Sequence, residues 1–171
     1  DKDTYSMHIG VYDNKTGQIK ESMDIGGDSY PSSMEIDKNG DLRAFINVWG
    51  MNGASTKCVT YDPLTLEEKS SVNISEKASF GKEEMITMNV TSEDGFLYIL
   101  TCEYDFENDE MKMKLYKLSE NYDVVYTLDD FSDMEGEPSY LFIRENGNVC
   151  VATTEDYELY RSKFLYIEEL K

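Results

Sequence analysis

Apolar and polar residues alternate over short stretches along most of the chain, which is the pattern of half-buried β-strands. In the stretch 42–48, for example, Leu42, Ala44, Ile46 and Val48 fall on one face, because side chains alternate across a strand. Similar stretches occur at 96–102 and 149–153. The pattern therefore predicts a protein built mainly of short strands.

A short turn containing glycine precedes each of these three stretches. The turns hold Asn39-Gly40, Asp94-Gly95 and Asn146-Gly147, whose glycines are 55 and 52 residues apart. Such dipeptides between apolar alternations favour β-hairpins, and we expect type I′ turns with positive φ at both central residues. The hairpin thus recurs along the chain at a nearly constant interval.

A second marker recurs out of phase with the glycine turns. The segment 12–17 is repeated at 61–66 with Tyr, Asp and Thr at matching positions, and looser copies follow at Tyr116 and Tyr166. The tyrosines Tyr12, Tyr61, Tyr116 and Tyr166 are 49, 55 and 50 residues apart. Two markers with a common period of about 50 residues indicate an internal repeat.

Each repeat has room for four antiparallel strands, which describes the blade of a β-propeller. We predict an all-β fold, a partial or open β-propeller, as a single domain with pieces at 1–29, 30–79, 80–134 and 135–171. The strands number two, four, four and three, so we expect no closed ring. First strands are predicted at 34–37, 85–90 and 140–143, second at 42–48, 96–102 and 149–153, third at 56–61, 112–118 and 162–167, and fourth at 18–25, 68–74 and 123–128.

Two segments also fit a helix. Tyr157, Tyr160, Phe164 and Ile167 share one helical face, as do Met111, Leu115 and Leu118. The alternative fold is therefore a β-sandwich-like domain with a C-terminal helix.

The turn sequences resemble those of known propeller families. The segment 11–19 resembles the repeat of quinoprotein-type bacterial propellers, in which an Asp-x-x-Thr-Gly turn links the two outer strands. The segment 36–42 resembles the inner turn of propellers of the lactonase and NHL kind. The resemblance implies the fold and a bacterial origin, and it assigns no catalytic residue.

Charge narrows the choice of partners. The chain has 16 Lys plus Arg against 35 Asp plus Glu, a formal charge of −19. Such a surface repels phosphate backbones and anionic lipid, so we expect no nucleic-acid partner. The longest strongly apolar run, 96–102, is far shorter than the ~20 residues that span a bilayer, so no membrane insertion is expected.

Reactive residues are sparse apart from carboxylates. His8 is the single histidine, which argues against a multi-histidine metal site or a Ser-His site with a second supporting imidazole. Cys58, Cys102 and Cys150 lack C-x-x-C spacing and sit among apolar neighbours, which predicts buried thiols. No cofactor fingerprint is present.

The densest acidic cluster includes Asp105, Glu107 and Asp109. Ca²⁺ takes six to eight oxygen ligands, so these three residues are candidate metal ligands. The cluster lacks the glycine of the D-x-[DN]-x-[DN]-G loop, and the alternative is a solvated connection that maintains solubility.

Propeller geometry predicts a ligand face. The loops from strand four to the next strand one, and from strand two to strand three, share one rim, and on it we expect Tyr30, Trp49, Tyr104, Asp105 and Tyr157. Aromatic rings interleaved with acids suit a small polar, cationic or carbohydrate-like ligand, or a basic patch on a protein.

These features favour a non-enzymatic binding or protein-interaction module, located extracellularly or at the cell surface. A metal-dependent lactonase-like hydrolase is the first alternative. The second is a structural fragment that completes a propeller as a homo-oligomer through its open sheet edges. Because the chain begins at Asp1 without Met, we expect either a removed leader or a start inside a longer protein.

Overall fold

The computed structural model of this protein describes residues 7–105, 107–108, 110–129, 131, 137–156 and 161–167. Over these residues the chain forms thirteen β-strands and one short helix. The strands make four separate antiparallel sheets of two, four, four and three strands, each in chain order and none closed into a barrel. The prediction of an all-β fold is confirmed.

Sheets 1 to 4 follow one another along the chain, and α1 follows sheet 2. Sheet 1 contains β1 (Met7–Tyr12) and β2 (Ile19–Gly26); sheet 2 contains β3 (Ser29–Ile36), β4 (Leu42–Gly50), β5 (Gly53–Tyr61) and β6 (Glu68–Asn73), followed by α1 (Ile74–Lys77). Sheet 3 contains β7 (Met85–Thr91), β8 (Leu97–Asp105), β9 (Glu110–Leu118) and β10 (Val124–Leu128), and sheet 4 contains β11 (Glu137–Ile143), β12 (Val149–Asp156) and β13 (Arg161–Ile167).

The helical alternatives are wrong wherever the structure describes them. Met111, Leu115 and Leu118 lie in β9, which pairs with β8, and Phe164 and Ile167 lie in β13, which pairs with β12. Tyr157 and Tyr160 lie outside the described residues. The segment predicted as strand 68–74 ends one residue early, because Asn73 Oδ1 accepts the Glu76 N–H at 3.2 Å and caps α1. No helix in the described ranges has the length and apolar character to span a membrane.

The chain divides into two compact units, Asp1–Glu76 and Lys77–Lys171. In the first unit, Ile9 of sheet 1 packs with Ala44 and Ile46 of sheet 2. In the second unit, Leu100 of sheet 3 packs with Val151 of sheet 4. Each unit therefore buries its core between two successive sheets.

The two units use the same stacking mode. We call the face of sheet 2 that carries Leu42, Ala44 and Ile46 its front face and the opposite face its back face. In sheets 3 and 4, residues at equivalent positions after the glycine turns define the same two faces, so that Leu97 and Val149 correspond to Leu42. The front residues Val149 and Val151 of sheet 4 pack with the back residues Tyr98 and Leu100 of sheet 3. Likewise, the front of sheet 2 packs on sheet 1, the sheet that precedes it in the chain.

A hydroxyl residue marks a β-bulge in each first strand. Pairing passes from Pro31–Ile46 to Ser33–Phe45, so Ser32 is skipped, and the same skip occurs at Thr87 and Ser139. The skipped hydroxyls donate to the carbonyl oxygens of Phe45 (3.1 Å), Leu100 (3.0 Å) and Ala152 (3.1 Å). The three bulges are 55 and 52 residues apart, as the glycine turns are. The repeat is therefore present in the hydrogen bonds as well as in the sequence.

The glycine turns form hairpins as predicted, but the expected turn type is wrong. Gly40, Gly95 and Gly147 have φ of 84°, 89° and 84°, whereas the residue before each of them is absent from the positive-φ residues found in the described chain. The Gly40 N–H donates to the Asp37 carbonyl (3.0 Å), and the Asp37 N–H donates to the Asp41 carbonyl (2.8 Å). This is a type I turn with a following left-handed glycine, which uses the same Asn-Gly sequence as type I′.

The tyrosine marker is only partly correct. Strand pairing aligns Leu42 with Tyr61, Leu97 with Leu118, and Val149 with Ile167. The equivalents of Tyr61 are therefore Leu118 and Ile167, whereas Tyr116 lies two residues early and Tyr166 one residue early. Tyr12 and Tyr61 are equivalent in register, although Tyr12 is exposed and Tyr61 is buried.

The outer turns after Tyr12 and Tyr61 agree bond for bond. Asp13 Oδ1 accepts the N–H groups of residues 15 and 16, and Asp62 Oδ1 accepts those of residues 64 and 65, all at 2.9 to 3.0 Å. Lys20 Nζ lies 3.0 Å from Asp13, and Lys69 Nζ lies 3.7 Å from Asp62, each seven residues further along. The repeat in the outer hairpin thus includes a lysine as well as the Asp-x-x-Thr turn.

The three cysteines are thiols without a disulfide in the structure. Cys58 and Cys150 are buried as predicted, and Cys102 is partly buried. Burial raises the pKa of the Cys102 thiol to about 11, which keeps it protonated at neutral pH.

The bulge hydroxyl is open to a direct test. Thr87→Val keeps the shape of the side chain and removes the hydrogen bond to Leu100, so we expect the free energy of unfolding to fall by ~1 kcal/mol. Urea unfolding measures the change. Thr87→Ser retains the hydroxyl and is expected to lose much less; equal losses in the two variants would mean that the hydrogen bond does not stabilise the bulge.

Candidate functional site

A groove lies in the second unit where β7 and β11 run into their glycine turns. Its volume is about 680 Å³, within the range of small-molecule sites. The floor is apolar and partly aromatic, with Val90, Tyr98 and Ile143, and Phe142 adds to the lining. Concave apolar surface of this size is suited to take up the body of a small ligand.

The rim of the groove is mainly acidic. Glu93, Asp94 and Glu145 line it together with Arg144, all from the two turns. Asp94 accepts a hydrogen bond from the Ser92 hydroxyl, which holds that carboxylate at the mouth of the groove. The described rim therefore favours a positively charged or neutral polar group over an anion.

A lysine beside the groove lies over two aromatic rings, of which only Tyr98 lines the groove. Lys117 Nζ lies 4.3 Å from the centroid of the Phe96 ring and 5.8 Å from that of Tyr98. Both distances are within the ~6 Å over which an ammonium group is attracted to a ring face. The Tyr98 ring of the groove thus already attracts one cation.

The predicted rim residues Tyr30 and Trp49 lie at the same end of sheet 2. Tyr30 pairs with Asn47, and Trp49 lies two residues beyond Asn47, so all three project from the back face. The Trp49 side chain is exposed, and the backbone N–H of Trp49 donates to the Asp28 carbonyl at 3.0 Å. Asn47 is fully buried and accepts the Thr56 hydroxyl at 2.6 Å. Sequence reasoning missed Asn47, because nothing in its neighbours marks a buried amide.

Tyr104 and Asp105 end β8 in the second unit. Asp105 Oδ1 accepts the N–H groups of Glu107 (3.1 Å) and Asn108 (3.3 Å), and Oδ2 accepts the Asn108 side-chain amide (2.9 Å) and Lys112 Nζ (3.4 Å). The Asn108 amide is the main cause that lowers the pKa of this carboxyl. Asp105 thus closes the β8–β9 turn. The groove lies at the opposite end of β8.

Two predicted residues, Tyr157 and Asp109, lie outside the described residues. Within the described part of the chain, no group of three or more His, Cys, Asp or Glu side chains is placed to hold a metal ion. The ligand set predicted around Asp105 and Glu107 stays a prediction.

Sequence reasoning also missed a buried carboxylate, Glu84, on the front face of sheet 3. Its Oε1 accepts the Thr101 hydroxyl (2.6 Å) and the Tyr116 hydroxyl (2.8 Å). Its Oε2 accepts the Gly81 N–H (2.7 Å) and Lys114 Nζ (2.9 Å). Glu84 follows Lys82 and Glu83, so the sequence gives the appearance of a charged surface loop.

Hydrogen bonds keep the Glu84 carboxylate ionised. Burial alone would raise its pKa, but the donors Gly81, Thr101, Lys114 and Tyr116 outweigh burial and lower the pKa below its usual 4.5. Burial and the neighbouring carboxylate raise the pKa of the Tyr116 phenol. The cluster is therefore an ionised Glu84 held by four donors, which ties the segment before β7 to β8 and β9.

This cluster predicts a pH-dependent stability. Because the pKa of Glu84 is lower in the folded protein, its contribution is complete above pH ~4.5 and is lost as the pH falls through the folded pKa. Glu84→Gln leaves donors facing an amide, so we expect a loss of ~2–3 kcal/mol in unfolding free energy at pH 7 that shrinks toward pH 3. Denaturant unfolding from pH 7 to pH 3 measures it.

Glu83→Gln, one residue away and partly exposed, is the matched control and should follow the wild-type pH profile. If Glu84→Gln were as stable as wild type at pH 7, the four hydrogen bonds would have no net stabilising role.

No protein-family model matches the chain, and no curated protein matches it. A solved structure described as a protein of unknown function from Bacteroides caccae is similar, with a TM-score of 0.42 and 11% identity. The match covers 84% of this chain and 64% of that protein, so the chain spans slightly less than two thirds of its length.

Proposed function

We propose that this protein is a non-enzymatic binding module of open β-propeller type, and that its ligand occupies the groove between sheets 3 and 4. The observation that carries the proposal is the groove itself, with its apolar floor and acidic rim. The propeller assignment rests on repeated antiparallel sheets in chain order and on the shared front-to-back stacking within each unit.

The separation of the groove from the buried ionisable cluster favours binding over catalysis. Thr101 and Tyr116, which hold Glu84, belong to the front face of sheet 3, whereas Tyr98 of the groove belongs to the back face. Perturbed ionisable groups are typical of active sites. The buried one, Glu84, has the donors Thr101 and Tyr116 on the other side of the sheet.

The lining suggests a ligand with an apolar body and a cationic group. Val90, Ile143 and the Tyr98 ring offer contact to the body, and the acids outnumber Arg144 at the mouth. The net charge of −19 adds a long-range attraction for cations. A small aromatic or aliphatic ammonium compound, or a lysine side chain presented by a peptide, has this chemistry.

The proposal is tested with two probes of nearly equal size. We expect 2-phenylethylammonium to bind at least roughly tenfold more tightly than phenylacetate, since the two probes differ chiefly in the sign of their charge. Isothermal titration calorimetry measures the affinities, and amide chemical shifts should change at the turns 92–95 and 144–147. Added salt should weaken the binding.

Removing the rim charges should remove the preference. The double variant Glu93→Gln with Glu145→Gln is expected to bind both probes equally, whereas Glu21→Gln with Glu67→Gln removes two exposed acids elsewhere and should behave as wild type. Shifts confined to Tyr30 and Trp49, or equal affinities in the wild type, would contradict the groove as the site.

A further inference from the structure

The contact between β7 and β11 shows how one first strand covers the next within the second unit. Met88 and Val90 project from the back of β7, because they pair with Leu100 and Tyr98 of the core. Leu141 and Ile143 project from the front of β11, opposite Val151 and Val149. The four apolar side chains pack against the same core, and the two strands are in contact.

The front residues of β3 have no such cover. Met34 and Ile36 pair with Ala44 and Leu42, in the register that Leu141 and Ile143 have in sheet 4. They are 51% and 61% exposed. The reason lies in sheet 1, whose described strands β1 and β2 correspond to the outer strands of a repeat, so nothing in it corresponds to β7 and β8.

The back residues of β11 are also uncovered. Tyr140 and Phe142 pair with Ala152 and Cys150, in the register that Met88 and Val90 have in sheet 3. They are 67% and 39% exposed. Inside the second unit, the back of one first strand is covered by the front of the next. The front of β3 and the back of β11 are the same two kinds of face, and both are exposed.

We propose that copies of this chain associate head to tail. The back of β11 in one protomer, carrying Tyr140 and Phe142, packs on the front of β3 in its partner, carrying Met34 and Ile36. The contact repeats between protomers the arrangement of Met88 and Val90 with Leu141 and Ile143. The second copy is the occupant that fits, since the internal contact shows the shape and polarity that each face accepts.

The symmetry and charge of this contact set its properties. Two different faces meet, so the interface is heterologous and extends to a ring or an open chain. Each protomer has a formal net charge of −19, so electrostatic repulsion opposes association. Added salt screens this repulsion and should strengthen association. Pairing through sheet edges would instead depend on backbone hydrogen bonds and not on these four side chains.

Two variants and their mixture test the proposal. In sedimentation velocity from roughly 1 μM to 1 mM protein, the wild-type mass should rise above 19.7 kDa with concentration. The head variant, Met34→Glu with Ile36→Glu, and the tail variant, Tyr140→Glu, should each weaken association at least roughly tenfold, because each places carboxylates in the contact. Mixed together, the two retain one intact head face and one intact tail face, and should form a complex of twice 19.7 kDa and nothing larger.

Met51→Glu with Leu64→Glu is the matched control, because it adds the same charge at exposed turn residues outside both faces and should associate as wild type does at equal salt. Far-ultraviolet circular dichroism checks that each variant is folded, and the milder Ile36→Ser should weaken association in the same direction. The proposal is overturned if wild type stays at 19.7 kDa throughout, if the head and tail variants associate as wild type does, or if their mixture stays monomeric.

Discussion

The hydrogen bond between the bulge hydroxyl and the neighbouring strand fixes the register on which the rest of the structure depends. Side chains alternate along a strand, so a slip of one residue between the first and second strands would exchange front and back faces. The hydroxyls of Ser32, Thr87 and Ser139 each hold the β-bulge at the equivalent residue through a hydrogen bond to the second strand. The glycine turns close the same hairpins at the other end. Together they make every later sheet present the same two faces.

The fixed front and back faces determine where the buried carboxylate and the groove lie on sheet 3. On the front of sheet 3, Thr101 and Tyr116 hold the buried carboxylate of Glu84, which anchors the chain before β7. On the back of the same sheet, Tyr98 contributes to the core shared with sheet 4 and to the floor of the groove. The buried carboxylate and the groove thus lie on opposite faces of sheet 3, because side chains alternate along each strand.

The sequence predicted the strands and hairpins well, because alternation and Asn-Gly turns are local signals. The spacing of the tyrosines gave a wrong alignment of the repeats. Tyr116 and Tyr166 are close to the expected spacing but out of register with Tyr61. The sequence was silent about Glu84, whose burial depends on donors 17 to 32 residues away. The groove was equally invisible, since it forms only when the turns of two sheets come together.

Cross-strand nuclear Overhauser effects test the repeated register most directly. We expect contacts of Pro31 with Ile46 and of Ser33 with Phe45, with Ser32 skipped. The same pattern is expected at Ile86–Thr101 and Met88–Leu100, with Thr87 skipped, and at Pro138–Thr153 and Tyr140–Ala152, with Ser139 skipped. Uninterrupted pairing, or a skip at a non-equivalent residue in one of the sheets, would contradict the repeated register.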